Sequence, residues 1–318
     1  MAAPTNTVVS ATNVGVREDL ENVIYRVAAE ETPFTSNIGK VKVKNRYHEW
    51  QTETLASPDA TNAALEGDDA GTLGAANAPT RVGNRTQIFT KSGVVSGTAE
   101  AVDTAGRASE LARQKLLKGK EIVRDMEARF IGNYASVAED GATTGKSAGA
   151  LAWITTADSR GSGGSDGGFS AGVVAAATNG TQRTFTEALL KAVLATAFSN
   201  GAKFSQAYMG ATHKQQFSAF TGIADIRADA PGKKLATIIG GADVYVSDFG
   251  NLTLIPHAYG LTRDCLLIDP EMWAVGTLRP LFTQALAKSG DNEKFQMIAE
   301  KLLVCRNQLG GGVVADLT

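Results

Sequence analysis

The chain has 318 residues, 43% of them hydrophobic and 20% charged, with a net charge of −2. These are the proportions of a folded globular protein, with neither the basic excess of a nucleic-acid binder nor an acidic tail. No apolar run approaches the roughly 20 residues that span a bilayer, and the opening MAAPTNTVVSATNVG lacks the charged and apolar regions of a signal peptide.

Aromatic residues make up 7% of the chain against 34 glycines. Small residues favour close backbone packing and extended arms over a dense aromatic core. Cys265 and Cys305 are the only cysteines and have no CxxC spacing. That predicts two small buried apolar residues in a reducing cytoplasm, neither a zinc site nor a disulfide scaffold.

The first predicted element is a helix over Arg17–Ala29, where Leu20, Val23, Ile24 and Val27 share a face and Pro33 ends the run. Val41–Lys44 alternates like a strand and continues toward Tyr47, Glu49 and Trp50. Residues from about Thr52 to Gly83 are mostly Ala, Thr, Asn, Asp and Gly, and hold few large apolar residues beyond Leu55, Leu65 and Leu73. Such a stretch cannot bury enough surface to fold alone, and a loop of this length usually has a task. Gln87–Thr90 and Gly93–Ser96 read as the returning strand, so Tyr47–Thr98 as a whole predicts a projecting arm.

A long helix follows over 106–137. Leu111, Lys115, Lys118, Ile122, Met126, Phe130 and Tyr134 recur at spacings of three and four, and Glu110–Gln114 and Asp125–Arg129 are neighbours one turn apart. SRGSGGSDGG (Ser159–Gly168) is loop-like. Thr184–Asn200 predicts an amphipathic helix with Thr184 and Glu187 as a capping box and Gly201 at its end. Phe204–Met209, Asp243–Ser247, Leu252–Ile255 and Cys265–Ile268 are short strands, and His213–Phe220 is a short helix. Near the C-terminus, Phe295, Ile298, Ala299, Leu302 and Leu303 fit a helix period. SGDNEK (Ser289–Lys294), however, is a hairpin turn, and Leu302–Cys305 suits a buried strand. Periodicity leaves both readings open.

GATTGKS (Gly141–Ser147) imitates a phosphate loop, but GxxxxGK[ST] needs four residues between the glycines and this sequence has three. The loop also follows a helix and is preceded by Asp140, whose carboxylate would repel phosphate. Lys146 with Asp269, at the end of Cys265–Asp269, is the pair a nucleotide enzyme would use. His48, His213 and His257 are widely spaced and read as surface or loop residues, and no GxSxG elbow occurs. Trp50, Trp153 and Trp273 read as packing residues. Glu21, Glu30 and Glu31 read as solvated. The 106–137 helix is locally basic through Arg107, Arg113, Lys115, Lys118, Lys120, Arg124 and Arg129. That is a solvated face, or one open to nonspecific contact with nucleic acid.

Four blocks carry a resemblance: REDLENVIYRVAAEETPFTSNIGKVKVKNRYHEWQTE (17–53), AGRASELARQKLLKGKEIVRDMEARFIGN (105–133), GKSAGALAWITT (145–156) and the run from IDPEMW through LRP, LAKSGDNEK and VCRNQLGGGVVADL (268–317). In content and order they resemble the SU10-type major capsid proteins of tailed bacteriophages, which have the Hong Kong 97 (HK97)-like fold.

The resemblance implies an α+β capsid fold with an N-terminal arm (1–46) and an extended loop, or E-loop (47–98). A peripheral domain (99–140 and 269–307) would hold a long spine helix and a long β-hairpin, so 281–307 becomes strands. An axial domain (141–268 and 308–318) would hold a central sheet flanked by helices. It further implies a structural protein with no catalytic, cofactor-binding or metal-ligating residue and no cofactor. Self-assembly into pentamers and hexamers would build an icosahedral head around double-stranded DNA in the virion, formed in the host cytoplasm. Scaffold, portal and decoration proteins are the implied partners, with no membrane. The alternatives are an encapsulin-type nanocompartment shell and an NTP-binding enzyme acting through Lys146 and Asp269.

Overall fold

The structure is a computed structural model that describes residues 28–63, 65–67, 78–220 and 243–318. The predicted helix over Arg17–Ala29 lies outside these residues except for its last two positions. The first described element is α1 (Pro33–Asn37). Pro33 opens this helix and does not end one, because the ring presets φ for a first turn and lacks an N–H that would go unpaired there.

In β1 (Gly39–Lys42), lysines alternate with valine, and Val41 and Val43 turn inward. The strand does not continue to Trp50. After a bend, β2 (Tyr47–Thr52) pairs antiparallel with β3 (Thr80–Arg85) in a separate ribbon, with Tyr47 opposite Arg85 and Thr52 opposite Thr80. The ribbon is the root of the expected arm. The returning strand differs from expectation: β4 (Gln87–Ser96) leaves the arm and pairs along its length with residues of Asn292–Cys305, a strand (β13) near the C-terminus. Phe89 packs edge-on against Phe130 of the long helix at 5.8 Å, and Gly93 leaves the space that the Phe295 ring fills. Periodicity marks a strand but not its partner.

α2 (Gly97–Ala101) precedes α3 (Glu110–Ile131), which Ser109 caps by accepting the Ala112 N–H at 3.1 Å. α3 is the predicted long helix with trimmed ends. Ile122, Met126, Phe130 and Ile131 are buried, and the Glu110–Gln114 pair forms. The Asp125–Arg129 pair does not. Lys91 takes Asp125 at 2.9 Å, and Arg129 donates to the carbonyls of Ser147 and Ala135. Arg129 is half-buried, where carbonyls left by irregular backbone need donors.

Next come α4 (Ala150–Trp153), β5 (Ala157–Ser159) and the small hairpin β6 (Gly168–Ser170) with β7 (Val173–Ala175). α5 (Glu187–Ser199) has Thr186 at its N-cap, two residues later than the capping box predicts. Glu187 bonds Lys191 and the Tyr245 hydroxyl instead of reaching back. β8 (Gln206–Met209), α6 (Ala211–Ser218), β9 (Val244–Ser247), β10 (Gly250–Pro256) and β11 (Cys265–Ile268) lie where the sequence predicts. The ambiguous C-terminal region is extended: β12 (Trp273–Leu286) and β13 (Asn292–Cys305) form a long hairpin, and β14 (Gly311–Val314) follows.

Two sheets organise these strands. One has the order β1-β12-β13-β4, the other β5-β14-β11-β8-β10-β9. α3 and α4 fill the main core with one face of the first sheet and with Tyr208, Leu266, Ile268 and Val313 of the second. The second sheet's other face packs Ala207, Met209, Cys265, Leu267 and Val314 on α5 and α6. β11 is therefore covered on both faces and reads as the unbroken apolar run CLLI. Cys265 and Cys305 are free and buried, and burial pushes the Cys265 thiol up to about 12, which leaves it inert.

β13 is paired on both sides, with Ile298 opposite Phe282 of β12 and Thr90 of β4. Ile298→Pro removes a ladder donor from a central strand and is expected to give insoluble protein lacking a native circular dichroism spectrum. Leu303→Ala is expected to cost about 2–5 kcal/mol in chemical denaturation, the range for truncating a buried aliphatic side chain. Gly119, inside α3, has room for a methyl group 3.4 Å from Met297 Cε. Gly119→Ala is expected to raise stability by about 0.5–1 kcal/mol in the same measurement.

Candidate assembly surfaces

The arm is anchored by aromatic rings that the sequence holds far apart. Trp50 of β2 lies 5.6 Å from Trp153 of α4, and Trp153 stacks on Phe169 of β6 at 6.0 Å, only 3° from parallel. His48 flanks Trp50 at 5.7 Å. Trp50 also packs on the cluster of Val43, Ala274, Leu302 and Val304. The root is thus clamped, with the area and directional geometry that aromatic pairs supply. Past Thr52 the character changes. The described residues from Glu53 to Ala63 are all exposed, and Leu55 and Leu65 are 94% and 80% exposed.

A second node was invisible in the sequence. Glu127 of α3 is fully buried. One carboxylate oxygen accepts the Phe34 N–H at 2.7 Å and faces His257 Nε2 at 2.8 Å; the other accepts the Thr35 N–H at 2.9 Å and the Thr35 hydroxyl at 2.6 Å. The first amides of a helix have no partner within it, and a carboxylate there also meets the favourable end of the helix dipole. Glu127 therefore caps α1 from another helix. Beside it, burial pushes the Tyr208 phenol up to about 12. Its hydroxyl donates to Gln206 at 2.8 Å and accepts from Asn37 at 3.1 Å.

The histidine reading is corrected here: His257 and His213 are buried, and His48 is half-buried. Apolar surroundings at Phe185 lower the His213 pKa, and burial also lowers that of His48. Glu127→Gln replaces an acceptor by a donor facing Thr35. It is expected to cost on the order of 2–3 kcal/mol in denaturant unfolding, as befits a buried group left mispaired.

The GATTGKS loop is closed on itself. Asp140 Oδ1 accepts the N–H groups of Ala142 and Thr143 at 3.0 and 2.6 Å, and Oδ2 accepts the Thr143 hydroxyl. The Lys146 backbone exchanges bonds with Val137. The Ser147 hydroxyl takes the Leu303 N–H and an Asn84 amide N–H, and Asn84 also donates to the Leu303 carbonyl at 2.7 Å. "GKS" thereby ties the arm root to β13. Asp269 caps the short 3-10 turn Pro270–Met272 through the Glu271 N–H. Among the described residues, no group of three or more His, Cys, Asp or Glu side chains is placed to share a metal ion.

Each basic residue that the sequence singles out on α3 has a partner in its own subunit. Arg107 and Arg113 meet Glu110, whose carboxyl the bonds from Arg113 and Gln114 pull down to about 2. Lys118 meets Glu121, and Lys120 meets Glu30. Lys115 and Arg124 lie over the rings of Phe295 and Tyr259. Glu30 is exposed, as the sequence reads it, and pairs with Lys120 at the surface.

The end of the chain is fixed by Asp316, buried with a left-handed φ of 58°. It accepts from Gly161 N–H at 3.0 Å, Gly180 N–H at 2.8 Å and Arg263 at 2.9 Å. Neighbouring Asp264 is pushed up to about 6, first by burial and then by the Asp316 charge, although it accepts the Asp316 N–H. A carboxyl raised in the folded state binds its proton more tightly there than when unfolded, so this group adds stability as pH falls from about 6 toward 4. Asp264→Asn, which keeps an acceptor for Asp316 N–H, is expected to raise the melting temperature at pH 7–8 and flatten the melting profile between pH 6 and 4.

A long helix laid on a sheet with an overlong hairpin, a second sheet flanked by helices, and an arm clamped at its root make up the HK97-like α+β fold. The cyanophage A-1(L) capsid subunit superposes with a TM-score of 0.70 at 11% identity, over 98% of this chain and all of the other. A structure from Mycobacterium phage Adephagia gives 0.61 at 12% identity over 95% of each chain, and a structure of phage G major capsid and decoration proteins gives 0.56 at 10% identity over the full length of both.

The chain belongs to the SU10 major capsid protein family, whose sequence profile matches residues 3–318. It is 38% identical over 138 residues to the major capsid protein of Escherichia phage Phieco32, a match spanning 42% of this chain and 38% of that relative.

Proposed function

We propose that the protein is the building block of a phage head: it self-assembles as pentamers and hexamers into an icosahedral shell around double-stranded DNA and resides in the virion after assembly in the host cytoplasm. One observation carries the reading. The arm is clamped at a rigid root, yet its described residues from Glu53 to Ala63 are all exposed. Ordering costs about 1–2 kcal/mol per residue, and contact with a neighbour offsets it. Weak contacts repeated by symmetry then close a shell without any single tight interface.

In this reading α3 with β12 and β13 makes up the peripheral domain, 99–140 and 269–307, and β1 from the N-terminal arm and β4 complete its sheet. The other sheet with α5 and α6 makes up the axial domain, 141–268 and 308–318. The N-terminal arm precedes them, and the extended loop narrows from 47–98 to the ribbon and its crossing, 47–85, because β4 serves the peripheral sheet. Scaffold, portal and decoration proteins are the expected partners. Contact with DNA is nonspecific and does not run through α3, whose basic residues are matched internally. The subunit works without catalysis or cofactor. The amides that would cradle a phosphate are spent on Asp140, so Lys146→Ala leaves any residual nucleotide affinity unchanged in equilibrium binding.

Deleting residues 66–77 tests the reading. The variant is expected to be soluble, to melt like wild type and to form few particles by sedimentation and electron microscopy. Protease is expected to cut the arm in free subunits and spare it in particles. Normal particles from the deletion remove the arm from assembly. Particles filled with protein in place of nucleic acid turn the reading to a nanocompartment shell.

A further inference from the structure

The sheet face that α3 covers carries positive charge along its margin. Alternation in β1 turns Val41 and Val43 toward Trp50 and sends Lys40 and Lys42 to the opposite side. The register then sets Lys42, Thr277 and Lys301 side by side across three strands, with Lys40 beside Val275. Between this row and α1 lies a recess of about 200 Å³, lined in part by Thr32, Thr35, Ser36, Lys40, Thr277 and Lys301. Burial, and after it the nearby Lys40 charge, hold the Lys301 ammonium below the usual lysine range. Among the described residues no carboxylate forms an ion pair with Lys40, Lys42 or Lys301, whereas Arg113, Lys118 and Lys120 of α3 each meet one. A half-buried ammonium, Lys301, beside the exposed Lys40 and among hydroxyl-bearing side chains suits an anion from outside the subunit.

The arm has the opposite charge. Residues 53–79 contain five Asp or Glu and no Lys or Arg. Of these, Glu53, Asp59 and Glu66 are described and exposed, and hydrogen bonds from Thr61 hold the Asp59 carboxyl below its ordinary range, so it stays charged. The root of the arm packs through Trp50 on the sheet face opposite the recess. From Thr52, a dozen extended residues reach roughly 40 Å, far enough to lie across a neighbour.

We propose that the recess receives the acidic arm, through Glu53, Asp59 and Glu66, of a second copy of this chain. The inference rests on the shell-subunit reading and specifies where the arm lands. The contact is electrostatic and partly exposed, so added salt weakens it.

Charge reversal tests it in the full chain. Lys40→Glu with Lys42→Glu, and separately Glu53→Lys with Asp59→Lys and Glu66→Lys, are expected to melt like wild type and to lose particles in sedimentation and electron microscopy. All five changes together are expected to restore particles. Lys301→Gln, which keeps the side chain's length, is expected to lower particle yield and blunt its salt dependence without altering the circular dichroism spectrum. Wild-type yield from both reversed sets, or no recovery in the combined variant, overturns the contact. So does a recess reversal that keeps particle number but lowers their nucleic-acid content, since the occupant is then a phosphate backbone. Wild-type particles with unaffected variants remove the contact alone. Wild type that forms no particles removes the shell-subunit reading and the contact with it.

Discussion

The Glu127 carboxylate has no access to solvent, so protein donors alone must meet its charge. It finds them in two backbone amides, one hydroxyl and one imidazole. A buried ion is tolerable only with such partners, and removing any of them leaves part of its desolvation cost uncovered. The donors come from α1 and from the residue just past β10, while the acceptor sits on α3. The stem of the N-terminal segment, the long helix and the second sheet are therefore held in one mutual arrangement. Apolar packing would allow them to slide; a fully bonded carboxylate does not.

Around that node the two sheets share a core and do not stand as separate units. α3 and α4 meet the first sheet on one side, and Tyr208, Leu266, Ile268 and Val313 of the second contribute to the same cluster. The arm root joins this body by two different means. Trp50 and Trp153 bring apolar area, and Asn84 and Ser147 bring buried hydrogen bonds to β13. Rigidity at the root with exposure beyond it is the division of labour expected of a limb that must be aimed before it is ordered.

The sequence made some of this legible. α3 was readable because its apolar stripe is sustained over six turns, and β8, β10 and β11 because short apolar runs sit between turn residues. β13 was not readable by period. Its last four residues are covered on both faces, and it is paired with a bulged partner, with register shifts on either side of Arg279. Burial on both faces erases alternation and lets a helical spacing arise by accident; the family resemblance, not periodicity, gave the right answer. β4 carried a strand signal, but only the register with β13 says that it leaves the arm. The Glu127–His257 pair spans 130 residues, and its members lie in unremarkable local contexts. Trp50 and Trp153 are likewise joined only by the fold. The false phosphate loop shows the reverse error, where a familiar string has its amides already occupied by Asp140.

The lysines of β1 have a second consequence. β1 stands at one end of the four-stranded sheet with no strand beyond it among the described residues, so its outer edge offers unpaired backbone groups. Bare edges template the addition of another chain and lead to fibrous aggregates. Two copies of this edge would bring Lys40, Lys42 and Lys44 against their own images, and like-charge repulsion opposes that pairing. The edge thereby carries its own safeguard against aggregating sheet to sheet.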